Sequence, residues 1–444
     1  MKDVRIYNSL TDKIETFKPL KEGKVSIYVC GPTVYDHPHV GNLRPVVVFD
    51  TLRRLFMYLG YDVTFVSNYT DVDDKIIAKA QKEGKTEIEI SNRYIAEFKN
   101  IVSLVNSLPP TYTPRVTEYM DGIISYIQKL IDVGSAYVAK NGDVYFRVNS
   151  VKGYGELSNM NVEDLLVGAR IETNSLKESP LDFALWKNTD IGIKWQTNWS
   201  EGRPGWHTEC CVMIDSIFED GIIDIHGGGF DLKFPHHENE IAQQKASNHN
   251  KLANYWMHNG FVTFGNEKMS KSLGNIVTAN DAIEQFGGLV TRLTLLSSHY
   301  RAPVSFLVNM AKSEIEKIKT PFIQAATKLQ LLGADLKSFK PTNIDKFIDA
   351  MCDDLNVSNA LSEIFVTVKE INTNLRVREI NIETLGNLFK TLEDMLFVLG
   401  LDIKYPLLTK EDIDIYNEYQ QARINKDYAK SDELRNILIE RKIF

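Results

Sequence analysis

Cysteine is scarce in this chain of 444 residues: Cys30, Cys210, Cys211 and Cys352 are all there is. Four dispersed thiols cannot staple so long a chain, so a disulfide framework is excluded and reduced thiols in a cytoplasmic setting are expected. Long apolar runs are missing too. No stretch approaches the ~20 residues that cross a bilayer, so no membrane partner is expected. The opening segment MKDVRIYNSLTDKIE has no apolar stretch of the kind a secretory leader carries. Basic residues are not in excess, because 51 Lys and Arg face 59 Asp and Glu, giving a formal charge of −8. A general affinity for polyanions is thereby excluded, and any nucleic-acid site has to be a local one. Internal repeats and low-complexity segments are also absent.

What is present is an ordinary globular composition, with 43% apolar residues, enough for more than one core and for two to four domains. KVSIYVC reads as a strand in which Val25, Ile27 and Val29 alternate before Cys30. A turn-rich GPTVYDHPHVG follows, then a helix over NLRPVVVFDTLRRLFMYLG, with Pro45 expected in its first turn and Gly60 at its C-terminal cap. DVTFVSN and YTDVDDKIIAKAQKEG repeat strand and helix. From about 114 to 199 the pattern loosens, as an insertion would, and it resumes with GWHTECCVMIDSIF, IIDIHGGG and FPHHENEIAQQKA. This alternation predicts a parallel sheet covered on both faces. Beyond about residue 305 the chain reads as almost entirely helical.

Polar chemistry is concentrated. Six of the nine histidines fall between 207 and 258. Parallel sheets hold ligands beyond the carboxyl ends of their strands, where Cys30, His226 and Gly227 to Gly229 all lie. Within FPHHENE, His236 and Glu240 are four apart and share a helix face, whereas His237 has Ile241 at that offset and an apolar face. An imidazole beside a carboxylate is half of a zinc site, which Cys30 and one of Cys210 and Cys211 could complete. The plainer reading is first-turn glutamates complementing the helix dipole beside a hydrogen-bonded histidine pair. HPHVGN, residues 37 to 42, joins a strand to a helix and suits a phosphate, since Gly41 admits a ligand and the helix offers N–H groups. EKMSKSLGN, residues 267 to 275, supplies Lys268 and Lys271 on a Ser/Gly-rich loop suited to a polyphosphate.

HVGN and KMSKS, in this order, resemble the paired signature of class I aminoacyl-tRNA synthetases. YVCGPTVYDHPHVGN, NYTDVDDKI, GRPGWHTEC, HGGGFDLKFPHHENEIAQ and YWMHNGFVTFGNEKMSKSLGN together resemble the cysteinyl-tRNA synthetase family. The likeness runs through VEDLLVGARIE and SPLDFALWK to KDYAKSDELRNIL, nearly the whole chain. It implies an α/β fold: a Rossmann-like catalytic domain in two halves (1–113 and 200–263), an inserted connective region (114–199), and a KMSKS and stem-contact region (264–320). A helical anticodon-binding bundle (321–404) and its C-terminal part (405–444) follow.

The resemblance also implies roles. A zinc ion would be held by Cys30, Cys210, His236 and Glu240, the choice of Cys210 over Cys211 coming from the family alone. Thr70, Trp206 and His226 would line the cysteine pocket, and Asp231 would touch amino acid or nucleotide. His39 and Asn42, with Gly228, would bind ATP; Lys268 and Lys271 would close over its phosphates, with Mg²⁺ assisting. The partners implied are cysteine tRNA, L-cysteine and ATP, with the protein a monomer.

The chain departs from the family pattern in three places. Asn42 replaces a second signature histidine, Phe230 stands where a small polar residue is common, and ERKIF ends where relatives carry a further tail. Charge does not advertise the anticodon region, since residues 421–444 hold six basic and four acidic side chains. Three other readings compete: a ligase joining cysteine to an amino-sugar, as in mycothiol synthesis; a zinc hydrolase, which leaves HVGN and KMSKS unexplained; and a non-catalytic RNA-binding relative, against which the intact signatures argue.

Overall fold

The computed structural model describes residues 2–160, 176–247, 251–264, 267–268, 277–441 and 443. Lys271 lies outside them, as do the side chain of Lys268 and all of VEDLLVGARIE. The chain divides into two compact units, one of residues 1–307 with 352–355, the other of 308–351 with 356–444.

The first unit opens with a small antiparallel pair, β1 (Arg5–Asn8) and β2 (Lys13–Thr16). Its central sheet contains β3 (Lys24–Val29) and β4 (Asp62–Ser67), joined through helix α1 (Val40–Tyr58). Helices α2 (Asp74–Glu83), α3 (Glu87–Leu104) and α4 (Met120–Asp132) follow. An antiparallel sheet of five strands is then built from β5 (Ala136–Val138), β6 (Val144–Phe146), β7 (Phe183–Asn188), β8 (Trp195–Gln196) and β9 (Glu201–Pro204). The chain returns to the central sheet through α5 (Glu209–Ile217), β10 (Ile223–Gly229), α6 (Glu238–Ala246) and β11 (Ala253–Asn259). The order β11-β10-β3-β4 is parallel throughout. The alternating strands therefore form the parallel sheet expected of them, and β3 and β10 are neighbours, with Gly227 opposite Val29.

Helix α1 differs from its sequence reading. It starts at Val40, so Pro45 falls in the second turn. Proline has no N–H, so the carbonyl of Gly41 receives no helical bond there. Both residues line the cavity described below.

Buried charge fixes the back of α1. Asp50 accepts from Arg54 at 2.8 Å and from Arg292 of a later helix at 2.6 Å, while its other oxygen takes the Leu108 N–H at 2.8 Å. Arg292 also donates to the Val105 carbonyl at 3.0 Å. A carboxylate shared by two guanidiniums and a backbone amide is compensated on every side, which is what its burial demands.

In the second unit, α7 (Val308–Leu331), α8 (Val357–Leu375) and α9 (Ile382–Leu399) pack together, with Phe322 and Phe389 stacked 4.8 Å apart. The helical pair Lys410–Ile424 and Tyr428–Glu440 is closed by Tyr416, Tyr419, Leu434 and Leu438.

Candidate active site

The carboxyl ends of β3, β10 and β11 open into a cavity of about 840 Å³. Gly31 permits its tightest turn, because a Cβ there would fall 1.6 Å from the Asn68 carbonyl oxygen. That approach lets the chain leave β3 sharply and turns Cys30 into the cavity wall.

Behind the part of the cavity wall formed by Cys30, the structure brings together Cys30, Cys210, His236 and Glu240, one donor atom of each lying within 4.8 Å of the others. Cys30 and Cys210 have their sulfurs 3.6 Å apart, Cys210 lies 3.7 Å from Nε2 of His236, and that nitrogen lies 2.9 Å from Oε1 of Glu240. Ligands tetrahedrally disposed about zinc would be separated by about 3.8 Å (S–S), 3.6 Å (S–N) and 3.4 Å (N–O), from Zn–S near 2.3 Å and Zn–N and Zn–O near 2.1 Å. The two sulfur distances match, and the third is shorter. Although Oε1 is close to His236, it makes no directed hydrogen bond, so it is a buried acceptor facing the other donors. Two thiols, an imidazole and a carboxylate, all ionisable and buried, are a donor set that fits a divalent zinc ion.

A second set, Cys30, His226, His237 and Glu240, converges equally well. Its members are already engaged with one another: His226 meets Glu240 at 2.7 Å, and His237 meets Cys30 at 3.2 Å and His258 at 2.9 Å. His258 in turn meets Ser9 at 2.9 Å. His237 thus faces polar groups, not the apolar surroundings its offset from Ile241 suggested. The reason is local: residues 233–237 form a wide turn with Phe234 extended (φ −140°, ψ 134°), so His236 and His237 precede the regular helix at Glu238.

Burial and mutual contact set the charge of these groups. Burial pushes the Cys30 thiol up to about 11, and the Cys30 contact together with burial pushes Cys210 well above the usual thiol range. Burial opposes charge on His236, yet Glu240 and Cys210 outweigh it and hold the ring at about 10. Burial likewise opposes charge on Glu240, but His226 and His236 keep it well below the ordinary carboxylate range. His237 is pushed well below its usual value by burial and His226, and His207 to about 3 by burial and His236. Neutral His207 can accept the Nδ1 proton of His236 across 3.0 Å, leaving Nε2 to serve as the donor atom.

The other expected residues divide by depth. Trp206 is 41% exposed, stacks on His236 at 4.3 Å and lines the cavity. Thr70 and His226 are buried behind the wall, Thr70 donating to Glu209 at 2.7 Å and His226 stacked on Trp256. Glu209, buried beside Cys210, is itself driven well above the carboxylate range by burial. Gly228 is buried in β10, where a Cβ would press on Leu232 and His237, and Asp231 lies exposed on the turn after it.

Elsewhere along the cavity wall, His39 is the N-cap of α1. Its Nδ1 accepts from Gly41 N–H at 3.1 Å, and its own N–H donates to Asn42 Oδ1 at 3.0 Å. This capping box fixes Asn42 with its carbonyl inward and its NH₂ end as the remaining donor. Beyond the KMSKS segment the chain returns to the same turn, where Val40 N–H donates to Val277 O at 3.1 Å and Ala279 N–H to Pro38 O at 2.8 Å. Before it, Arg44 of α1 donates to the Phe261 carbonyl at 2.7 Å. Both flanks of KMSKS are therefore anchored to the HVGN turn.

Residues 16–319 match the family described as tRNA synthetases class I (C) catalytic domain, and residues 346–404 the DALR domain. The protein named "Cysteine--tRNA ligase" of Lachnoclostridium phytofermentans is 47% identical, covering 99% of this chain and 97% of its own length. The chain belongs to the cysteinyl-tRNA synthetase family. The protein of the same name from Halalkalibacterium halodurans is 44% identical over 98% of this chain and 95% of its own. Among solved structures, Mycobacterium tuberculosis methionyl-tRNA synthetase with methionyl-adenylate superimposes with a TM-score of 0.61 at 14% identity, covering 85% of this chain and 89% of that one. A putative arginyl-tRNA synthetase of Campylobacter jejuni gives 0.57 at 13%, over 86% and 93%. These likenesses establish the fold as that of class I synthetases, shared well beyond the cysteinyl-tRNA synthetase family.

Several site residues escaped sequence reasoning. His207 contacts His236, Glu209 contacts Thr70 and His237 contacts Cys30, while His258 reaches the site through His237. The crowding of histidines over 207–258 was the signal that pointed to the three histidines.

Proposed function

We propose that this member of the cysteinyl-tRNA synthetase family activates L-cysteine with ATP as an adenylate and transfers it to cysteine tRNA. Cys30, Cys210, His236 and Glu240 would hold a zinc ion, which would give the site its preference for a thiol. The observation that supports this reading is the convergence of those donors behind Cys30, which lines the same cavity as the HVGN residues His39, Gly41 and Asn42. Cysteine and serine differ only in sulfur and oxygen, and a shape-based pocket separates such analogues by about 1–3 kcal/mol. A bound zinc ion would supply the missing selectivity by ionising a thiol, whose pKa is ordinarily about 8.5, and binding its sulfur in preference to a hydroxyl.

The chain's own residues do the rest. Trp206, stacked on His236, covers the mouth of the thiol site and excludes water from it. His207 holds the His236 ring through its second nitrogen, while His226 holds Glu240. The substrate carboxylate is already a nucleophile, so attack on the α-phosphorus of ATP needs no general base; the bond to pyrophosphate breaks and its oxygen keeps the electron pair. Positioning and charge stabilisation carry the reaction. His39, the NH₂ of Asn42 and the N-terminus of α1 bind the phosphates, Gly228 and Asp231 border the nucleotide, and Lys268 and Lys271 neutralise charge on the leaving group, with Mg²⁺ entering on ATP. Thr70, its hydroxyl committed to Glu209, shapes the amino-acid pocket from behind. The helical unit receives the anticodon region, and the protein acts as a monomer in the cytoplasm.

Transfer decides between this reading and an amino-sugar ligase. Zinc-loaded protein given ATP and radiolabelled cysteine should charge cysteine tRNA and leave an amino-sugar acceptor unmodified; the opposite pattern would overturn the assignment.

A further inference from the structure

We propose that the side-chain carbonyl of Asn259 reads the adenine base, accepting a hydrogen bond from its exocyclic 6-amino group. This rests on the ATP-dependent reading above and assigns it a residue that determines nucleotide specificity. Asn259 closes β11 opposite Gly229 of β10, is 3% exposed, and lines the cavity with Gly229, Asp231 and Phe261. Its Nδ2 donates to the Gly260 carbonyl at 3.0 Å. That bond fixes the amide, since half a turn about its axis would set oxygen against oxygen. Oδ1 is consequently held away from Gly260, as a buried acceptor with no hydrogen-bond partner among the described residues. Buried polar atoms are almost always paired, so one fixed at the edge of a ligand crevice marks where a ligand's donor belongs.

Neighbouring backbone groups are already committed. The Gly260 N–H donates to Tyr300 O at 2.8 Å, and the Phe261 carbonyl accepts from Arg44 at 2.7 Å and from Val304 N–H at 2.9 Å. Oδ1 is an acceptor that none of these contacts uses. Its surroundings favour a base over a sugar, because Phe261 and Val262 follow it along the cavity wall and give a flat heteroaromatic ring an apolar face. Asp231, exposed on the turn after β10, offers two oxygens to a ribose diol instead. The assignment also carries selectivity. Adenine presents an N–H donor at position 6, whereas guanine presents a carbonyl that would meet Oδ1 oxygen to oxygen.

Equilibrium binding measured by calorimetry tests this without turnover, so a failure of the ligase reading would appear in activity assays and not here. The ligands are ATP, GTP, purine riboside triphosphate (which lacks the 6-amino group), 2′-deoxy-ATP and 3′-deoxy-ATP. Wild-type protein should bind ATP about tenfold more tightly than purine riboside triphosphate, the worth of one hydrogen bond to a buried acceptor. Asn259→Ala should bind the two equally, through loss of ATP affinity alone, while keeping its discrimination against both deoxynucleotides. Asn259→Leu, which preserves side-chain volume, should behave likewise, with a single cooperative unfolding transition in both variants. Wild-type protein that binds no ATP would overturn the ATP-dependent reading itself. Where ATP binds, the Asn259 assignment is overturned if wild-type protein does not separate ATP from purine riboside triphosphate, if either variant still separates them, or if the lost discrimination concerns the deoxynucleotides.

Discussion

Cys210→Ser should release the metal and the substrate together. Zinc content of the purified protein should fall from one per chain to near zero, and the KM for cysteine should rise on the order of a hundredfold or more, because loss of an outer partner alone costs 10–100-fold. The neighbouring thiol provides the control. Cys211 is fully buried, but its sulfur points to the Glu240 carbonyl, 3.7 Å away, and away from the converging donors. Cys211→Ser should leave zinc content unchanged and cost only about 1–2 kcal/mol of stability, for a hydroxyl placed in a well-packed core. Metal analysis of the two variants side by side separates them. If Cys211→Ser loses zinc and Cys210→Ser keeps it, the ligand is misassigned.

His39→Ala should lower the rate of cysteine-dependent ATP–pyrophosphate exchange by about 10²–10³-fold, as removal of a donor to developing charge does elsewhere, with the KM for cysteine unaltered. A confounding effect is built into the geometry. His39 also caps α1 through Gly41 N–H, and losing a cap costs about 1 kcal/mol of stability. His39→Asn distinguishes the two roles, since asparagine caps helices well but cannot carry a donor as far into the cavity. Stability should return in this variant while exchange stays slow. Recovery of both would show that His39 only caps the helix.

These expectations mix what the sequence carried with what it could not. The parallel sheet was legible because strand and helix alternate in KVSIYVC, DVTFVSN and IIDIHGGG, and alternation of that kind has few other solutions. The meeting of Cys30 with His226 to Gly229 followed from placing both at strand ends, once β3 and β10 proved adjacent. The His236–Glu240 contact followed from a four-residue spacing, and it persists although His236 lies in the irregular turn before the helix.

The same irregularity made His237 illegible. Its direction depends on the extended Phe234, which no periodicity encodes. Pro45 was misplaced by one turn because the helix begins at Val40, started by the reciprocal cap between His39 and Asn42. Thr70 and His226 belong behind the cavity wall, and Asn259 belongs on it; such depths are set by packing between elements far apart in sequence. The family resemblance named residues but could not say which of them face the cavity and which support those that do.

The central claim is that metal chemistry, applied behind Cys30 in the wall of this cavity, selects cysteine. Its most direct test is ATP–pyrophosphate exchange by zinc-loaded protein with cysteine and with serine as the amino acid. Rapid exchange with cysteine, and exchange with serine lower by on the order of 10⁴-fold, is the expected result, beyond the ~10²-fold that shape can supply. No cysteine-dependent exchange, or serine within about a hundredfold of cysteine, would contradict it.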